Sequence, residues 1–522
     1  MSNSDSKQRI LLTNCRVFGG ANGPPVVQKE VLIEGDHIAF AGECLDDNID
    51  GLQRMDLEGA WVFPGFCDAH LHMAAGGQSL GITDLAGMNR EEVLNAIRAA
   101  FSKQFGQEGW LEAFNWDEKE SCRLDARLLE EIVPSYPLIV HKRDLHGCCL
   151  NQSALTLIGV SRDSKDPDGG AIGRFADGSP NGMLYESAIG LIHSVRTPPD
   201  RSARRRFILS AQEYFISLGL TAVSEVLDSG NEEIYRDLEN NGELKIDIDG
   251  WKRYENWDGI SRPMGGERFR VETIKLFLDG SFGSRSAAMM APFSDGTQSG
   301  NLIYSDADLR SVFKKVTELG WRLAIHAIGD RAVDQACRLL SELPFEKGFS
   351  GRIEHLQQLP DDGVRLVRES RALASMQPIH MLDDEKWLPE LIGYERCRNS
   401  FIWKSLVENG VPIANGSDWP VATPDPLLGI HASINRAKYN ELPNPLFGMG
   451  EALLPWQAIR AVTRGYAIAS GRSEERGSIE VGKYADLTVV DVKDQSLVDW
   501  FGAEIKMTIS RGEVLYSTYL NN

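Results

Sequence analysis

Two histidines separated by one residue end a short apolar run, in the sequence Asp68-Ala69-His70-Leu71-His72. Side chains two positions apart on a β-strand point the same way, so both imidazoles can reach one point beyond the strand end. Such a pair can bind a metal ion. The alternative is that the two histidines only form hydrogen bonds there, and the pair alone does not decide between them.

Four further residues of suitable type stand near the ends of later apolar runs: Lys275, His326, His355 and Asp418. Imidazole and carboxylate together suit zinc or a similar divalent cation. Each residue alone is weak evidence, because a histidine at a strand end is often structural. Their joint placement predicts a divalent metal site, with zinc as the expected ion.

Eight short strand candidates alternate with amphipathic helical segments, a pattern typical of βα units and a parallel sheet. They cover residues 65–72, 220–226, 245–251, 272–280, 322–329, 352–359, 372–378 and 411–419. Eight such strands suit a closed (β/α)8 barrel with its active site at the C-terminal mouth. The stretch at about 77–210 is then an insertion. Strand-like runs at both chain ends could pair into one small β-module.

Composition and charge limit the class of protein. Apolar residues make up 42% and charged residues 25% of the 522 residues, which is typical of globular proteins and unlike a disordered or fibrous chain. A net charge of -20 disfavours nucleic acid and anionic membranes as partners. The one dense basic run, 201–206, is interpreted as the solvated start of a helix. Eight irregularly spaced cysteines and no apolar leader predict a cytoplasmic protein.

This set of residues resembles the amidohydrolase superfamily, and more closely its YtcJ-like subgroup. The segments that carry the resemblance span most of the chain and are 62–72, 143–155, 274–287, 323–334, 352–359, 410–421 and 477–491. The resemblance implies a distorted (β/α)8 TIM barrel at 63–474, joined to a composite β-sandwich from 1–62 and 475–522. It also implies a small-molecule substrate and is compatible with a homodimer.

The resemblance implies two metal positions, one held by His70, His72 and Asp418 and the other by His326 and His355. Lys275 would bridge them after carboxylation, because a lysine desolvated at a barrel end has a lowered pKa and takes up carbon dioxide as the neutral amine. Two alternatives stay open: an uncarboxylated Lys275 paired with an acid, and a site with a single metal ion.

The expected chemistry follows from the ions. A metal lowers the pKa of bound water and polarises the substrate carbonyl, so that hydroxide attacks at ordinary pH. Asp418 would take the proton from that water and deliver it to the leaving nitrogen, as general base and then general acid. The expected reaction is hydrolysis of an amide or related C–N bond, of the N-acyl or N-formyl amine type.

Residues of the fourth strand and of the insertion are candidates for substrate contacts. They are Asp279, Arg285, Trp116, Asp117, Arg143 and His146. Arg285 could hold a carboxylate through two parallel hydrogen bonds, although a structural salt bridge explains it equally well. The insertion residues could cover the pocket, since loops on a rigid barrel commonly carry specificity, or could serve ordinary packing.

The chain departs from the resemblance on its second strand, where Ser224 and Glu225 replace the usual His-Asp pair. The metal set is untouched, but the pocket is altered. Other reactions of the same site, such as cyclic amide opening, deamination or a metal-dependent lyase reaction, therefore stay open. A catalytically idle regulatory protein is a further alternative. The complete set of candidate ligands argues against it.

Overall fold

The computed structural model describes residues 8–519 of the chain except 20–25, 29, 44, 46–50, 86, 105–108, 117–121, 143–146, 168–169, 194, 196–198, 295, 297 and 345–349. The candidates Asp117, Arg143 and His146 therefore lie outside the described residues. The chain forms two compact units, one of residues 1–76 and 207–522 and the other of residues 77–206. Within the described residues, no helix is long and apolar enough to cross a membrane.

Eight parallel strands form the central sheet of the first unit, and each pairs with the next in chain order. They are β1 (Phe66–Leu71), β2 (Leu220–Leu227), β3 (Asp247–Arg253), β4 (Phe269–Phe277), β5 (Arg322–Ala327), β6 (Arg352–His355), β7 (Leu373–Met376) and β8 (Ile413–Asn415). These are the eight strands expected from the sequence. The predicted barrel is confirmed.

The barrel closes through the segment that follows β8. Its backbone crosses to β1, where the Asp418 N–H donates to the carbonyl of His70 at 2.7 Å and the His72 N–H donates to the carbonyl of Trp419 at 2.8 Å. The Ser417 N–H also donates to the buried carboxylate of Asp68 at 3.0 Å. The closure therefore sets the last strand's loop directly beside the histidine pair.

Helices follow the barrel strands and shield them with their apolar faces. In this unit they are Asn231–Asn240, Asp306–Glu318, Asp330–Ser341, Gly363–Ser370, Pro378–Asp384, Leu388–Ile392, Trp403–Glu408, Pro426–Asn435, Pro455–Ala461 and Arg464–Ala469. Single 3₁₀ turns lie at Tyr254–Asn256, Arg396–Asn399, Pro445–Phe447 and Met449–Glu451. Met73–Ser79 and Arg201–Ser217 are also helical, and the basic run opens the second of these, as expected.

The two chain ends build two further sheets around a shared apolar core. One sheet contains Arg9–Thr13, Glu30–Glu34, His37–Gly42 and Leu52–Asp56. The other contains Arg16–Gly19, Val26–Gln28, Trp61–Pro64, Leu487–Asp491, Glu504–Ser510 and Glu513–Ser517. Strands from both ends pair directly, Leu487 with Pro64 for example. The small β-module is thus composite.

The second unit has a mixed six-stranded sheet of its own. Its strands are Thr83–Asp84, Leu111–Trp116, Leu138–Lys142, Gly147–Leu150, Gly170–Arg174 and Pro180–Glu186. Its helical segments are Arg90–Gln104, Ala126–Ile132, Gln152–Leu157, Ser187–Ile189 and Gly190–His193. Residues 77–206 thus fold around their own apolar core.

Candidate metal centre

The histidine pair and Asp418 meet at the C-terminal end of β1. The Nε2 atoms of His70 and His72 lie 3.6 and 3.2 Å from Oδ1 of Asp418. One donor atom from each of the three residues falls within 4.8 Å of the others. Two imidazoles and a carboxylate at this spacing form a donor set that suits zinc and similar divalent ions.

Backbone geometry brings Asp418 close to β1. A Cβ at Gly416 would stand 2.6 Å from the backbone nitrogen of His70, so only glycine permits this approach. Asp418 itself has a φ of 58° and His355 a φ of 76°, in the left-handed region that side chains rarely adopt. Such strained residues persist where the surrounding structure fixes them, often at functional sites.

A second group of histidines lies beside the first. The rings of His326 and His355 have centroids 4.5 Å apart, and the His355 ring is 5.1 Å from that of His70. His355, His380 and Asp418 again offer three donor atoms within 4.8 Å of one another. The structure therefore brings His70, His72, His326, His355 and Asp418 together, and their roles as metal ligands stay predictions.

His380 was not predicted. It lies in the helix Pro378–Asp384, four residues beyond the end of β7, where its Nε2 donates to the carbonyl of Ser417 at 3.1 Å. A carbonyl only accepts, so Nε2 carries the proton and Nδ1 keeps a free lone pair. The available sequence signal was a histidine just after a barrel strand.

Lys275 lies on β4 and is fully buried beside His70, to whose Nε2 its Nζ donates at 3.4 Å. Its Nζ also faces the rings of Trp251 and Phe277, with centroids 5.6 and 5.1 Å away. No carboxylate of the described residues forms an ion pair with Nζ. Burial lowers the pKa of Lys275 to about 8, although the nearby Glu354 carboxylate acts to raise it.

The buried histidines are neutral bases. Burial, aided by the charge of Lys275, lowers the pKa of His70 to about 4 and that of His326 to about 3. Burial and His326 hold the pKa of His355 well below its ordinary value. Neutral imidazole is the form that binds metal ions, so these rings are ready ligands at neutral pH.

Asp418 is the ionised partner of these rings. Burial acts to raise the pKa of its carboxyl, but the electrostatic interaction with the His70 ring and the hydrogen bond with His72 hold that pKa well below its usual range. Ionised carboxylate oxygens both bind divalent ions and accept protons. The Asp418 carboxylate is therefore suited to either role.

A buried acid and arginine hold His70 in place. Nδ1 of His70 donates to Oε2 of Glu354 at 2.8 Å, which leaves Nε2 unprotonated and facing Asp418. Arg352 binds the other oxygen, Nε to Oε1 at 2.5 Å, and donates to the carbonyl of Ala69 at 2.6 Å. Burial acts to raise the pKa of Glu354, but Arg352 and His70 hold it below its usual range.

These residues fit a divalent metal. Nδ1 of His355 is buried and has no hydrogen-bond partner among the described residues, which is costly for a polar atom unless something else binds it. Lys275 is likewise buried without a carboxylate partner. An ion of positive charge would sit beside neutral imidazoles and the Asp418 carboxylate. The donor set thus suits a cation.

The predicted substrate residues that the structure describes have varied surroundings. Both carboxylate oxygens of Asp279 accept backbone N–H donors, from Ala288, Ile328 and Gly329 at 2.8 to 3.1 Å. Arg285 is exposed in the turn after β4. Trp116 is buried in the core of the second unit, where its Nε1 donates to the carbonyl of Cys122 at 3.0 Å. Their substrate roles stay predictions.

The two departures on β2 point to structural roles. Ser224 Oγ donates to Asp249 at 3.2 Å. Glu225 accepts the backbone N–H of Met73, the residue after His72, and the hydroxyl of Tyr235 at 3.2 Å. Glu225 therefore fixes the backbone that follows the histidine pair. Burial raises its pKa to about 8.

The raised pKa of Glu225 predicts that the stability of the protein depends on pH. The folded Glu225 carboxyl keeps a proton that the unfolded chain releases, so its contribution to stability is lost as the pH rises towards the folded value. We expect the free energy of unfolding of the wild type, relative to Glu225→Gln, to fall between about pH 5 and about pH 8. Urea unfolding across that range measures it. Parallel pH profiles for the two proteins would contradict the assignment.

Residues 53–516 match the amidohydrolase family. The putative amidohydrolase YtcJ of Bacillus subtilis (strain 168) is 27% identical, covering 89% of this chain and 90% of that protein. The N-substituted formamide deformylase of Arthrobacter pascens is 26% identical, covering 92% and 93%. An uncharacterized metal-dependent hydrolase from Pyrococcus furiosus has a TM-score of 0.77 at 26% identity, covering 94% of this chain and 100% of that one. Because the family match extends over most of its length, this chain belongs to the amidohydrolase family.

Proposed function

We propose that this chain is a divalent-metal-dependent hydrolase that cleaves an amide or related C–N bond. The observation that carries the proposal is the convergence of buried and partly buried imidazoles with the Asp418 carboxylate at the mouth of the barrel. Among the described residues, a buried histidine nitrogen without a hydrogen-bond partner and a buried lysine without a carboxylate partner lie at this same place and support it. A core that served packing alone would not gather these groups.

We assign His70, His72 and Asp418 to one metal position. His326 and His355 would hold the second, with His380 as an added donor beside His355 and Asp418. Carboxylated Lys275, placed next to His70, would lie between the two positions and supply oxygen ligands to both. Zinc is the proposed ion, because imidazole and carboxylate donors suit its preferences.

A bound divalent metal lowers the pKa of water and polarises the substrate carbonyl. Asp418, ionised and about one-eighth exposed at its side chain, accepts the proton of the attacking water. The same carboxyl then gives that proton to the departing nitrogen, so the amine leaves as a neutral molecule. Glu354 keeps Nε2 of His70 unprotonated and aimed at the centre throughout.

The substrate class we propose is an N-acyl or N-formyl amine. It draws support from the similarity to the N-substituted formamide deformylase, which covers nearly the whole chain. The metal-facing residues alone do not select the acyl group. The cytoplasmic location and the homodimer stay predictions.

A substrate screen tests this function. Zinc-loaded protein is assayed on N-formyl and N-acetyl amines beside cyclic amides and aminopyrimidines, with release of amine, ring opening or ammonia as the readouts. Turnover of the acyclic amides alone supports the proposal. Turnover of only a cyclic amide or an amino heterocycle would reassign the reaction, and turnover of none would contradict it.

Lys275 gives a separate expectation. After equilibration with ¹³C-bicarbonate, we expect one protein-bound carbamate signal in the ¹³C spectrum, and none in the Lys275→Arg variant. Lys275→Ala should lose at least about 100-fold in kcat/KM, with partial rescue by added acetate or propionate as substitute oxygen ligands. An active wild type with no carbamate signal would contradict the bridging role.

A further inference from the structure

Arg253 is the last residue of β3 and faces the interior of the barrel mouth. Trp251, two residues earlier on the same strand, has its ring 5.2 Å from that of His70, so the same face of β3 looks into the metal centre. In the sheet, Arg253 is paired with Lys275 on β4. Arg253 therefore lies at the same height along the barrel strands as Lys275, one of the candidate metal ligands.

The aromatic ring of Phe277 lies close both to Arg253 and to residues of the candidate metal centre. The guanidinium carbon of Arg253 lies 5.8 Å from the ring centroid of Phe277, and Nζ of Lys275 lies 5.1 Å from the same centroid. The ring of His326 lies 5.2 Å from it as well. The arginine is thus separated from two proposed metal-site residues by a single side chain.

The Arg253 side chain is partly buried, and its guanidinium is incompletely hydrogen-bonded by the described residues. Its Nε is buried without a partner among the described residues. Among the described residues, the carboxylates nearest to the guanidinium are those of Asp228 and Glu255, which lie 3.6 and 3.9 Å away and thus beyond hydrogen-bond range. Both acids are more than half exposed at their side chains, at 51% and 56%, and such loose pairs contribute little.

A planar guanidinium with unused donors matches one ligand chemistry best. Arginine binds carboxylates through two parallel N–H···O bonds and is the usual residue for that task. The Arg253 side chain is 29% exposed, so it can meet a ligand that enters the mouth. The chain as a whole carries a net charge of -20, so a local cation is needed if an anionic substrate is to enter.

We propose that Arg253 binds a carboxylate on the substrate, close to the scissile bond, so that the substrates are carboxylate-bearing amides such as N-acyl amino acids. This inference rests on the proposed hydrolase function and narrows its substrate class. It makes Arg253 a specificity-determining residue. On binding, the substrate carboxylate would replace the weak ion pairs of Arg253 with Asp228 and Glu255.

Matched substrate pairs test the proposal. N-formyl-leucine and N-formyl-phenylalanine are compared with their decarboxylated counterparts, N-formyl-3-methylbutylamine and N-formyl-2-phenylethylamine. N-Succinyl-2-phenylethylamine places the carboxylate on the acyl side, and N-propionyl-2-phenylethylamine is its neutral counterpart. We expect the wild type to prefer the carboxylate member of at least one pair by about 10-fold or more in kcat/KM.

Three variants separate recognition from structure. Arg253→Met should raise KM for the preferred acid by about 10- to 100-fold and change turnover of its neutral partner little. Arg253→Lys should keep part of the preference, since it retains the charge but not the planar pair of donors. Asp228→Asn removes the nearest acid, leaves Arg253 in place and should keep the preference, which a purely structural salt bridge would not explain.

Equal use of acid and neutral member in every pair, or equal loss on both in Arg253→Met, would overturn the proposal. If the wild type cleaves none of these amides, the proposed function fails. In that case, the affinities of the wild type and of Arg253→Met for the same compounds are measured by calorimetry, which tests carboxylate binding by Arg253 without requiring turnover. Tighter binding of the acids that disappears in the variant supports it, and equal binding overturns it.

Discussion

Replacing Asp418 with asparagine is expected to lower kcat/KM by at least about 1,000-fold, because the amide neither accepts the proton of water nor returns it to the leaving nitrogen. The variant should fold, since the residue's backbone N–H bond to His70 and its loop contacts do not use the carboxylate. The loss should appear in kcat, as expected for a group needed mainly in the transition state. Steady-state kinetics on the best amide of the screen measures it.

Asp491→Asn is the matched control. Asp491 is an exposed residue of the strand Leu487–Asp491 in the composite β-module, and its neutralisation should leave kcat/KM unchanged. Circular dichroism and thermal melting of both variants separate loss of chemistry from loss of fold. A folded, metal-loaded Asp418→Asn protein with near wild-type kcat would show that another residue transfers the proton.

The second large effect is expected from Glu354→Gln. This substitution removes the buried negative charge between Arg352 and His70 and leaves the Arg352 guanidinium buried without its counter-charge. Breaking a buried ion pair typically costs about 3–5 kcal/mol of folding stability. Because Glu354 also orients His70, we expect metal affinity to fall by about 10- to 100-fold.

Two measurements check this expectation, chemical denaturation of the metal-free protein and metal competition with a chelator. Glu272→Gln serves as the control, because Glu272 pairs with Arg322 at 2.9 Å in a partly exposed setting where about 1 kcal/mol or less is expected. If Glu354→Gln changed stability no more than Glu272→Gln and kept full metal affinity, the proposed support of His70 would be wrong.

The sequence was sufficient to predict the barrel and the groups at its mouth. The histidine pair on β1 and the single histidines on β5 and β6 stand at strand ends, and parallel strands in a barrel end at one face. The same rule placed Lys275 and Asp418. Hydrophobic periodicity and residue type were therefore enough to predict which residues lie at the mouth of the barrel.

The supporting residues could not be predicted in the same way. Glu354 directly precedes His355 and looks like any charged neighbour until the fold sets it against His70, far away in the sequence. His380 lies on a helix, where strand alternation gives no guidance. Arg253 was missed because its unused donors become visible only with the side chains around it in place.

The loop after β8 shows a further limit of the sequence. Asp418 reaches β1 because Gly416 has no side chain and because the backbone at Asp418 adopts a left-handed conformation. Those features follow from the closure of the barrel rather than from the conformational preferences of the residues themselves. The short distance between Asp418 and the histidine pair therefore depends on the tertiary structure and could not be predicted from the sequence.

Metal content, measured together with activity, tests the central claim most directly. Protein purified without chelator is analysed by plasma mass spectrometry, then stripped, assayed, and reloaded with zinc. The account predicts two divalent ions per chain, loss of amide hydrolysis on stripping and its return on reloading. A single ion would remove the bridging role of Lys275. A stripped protein that keeps full activity, or one that binds no divalent metal on reloading, would contradict the account.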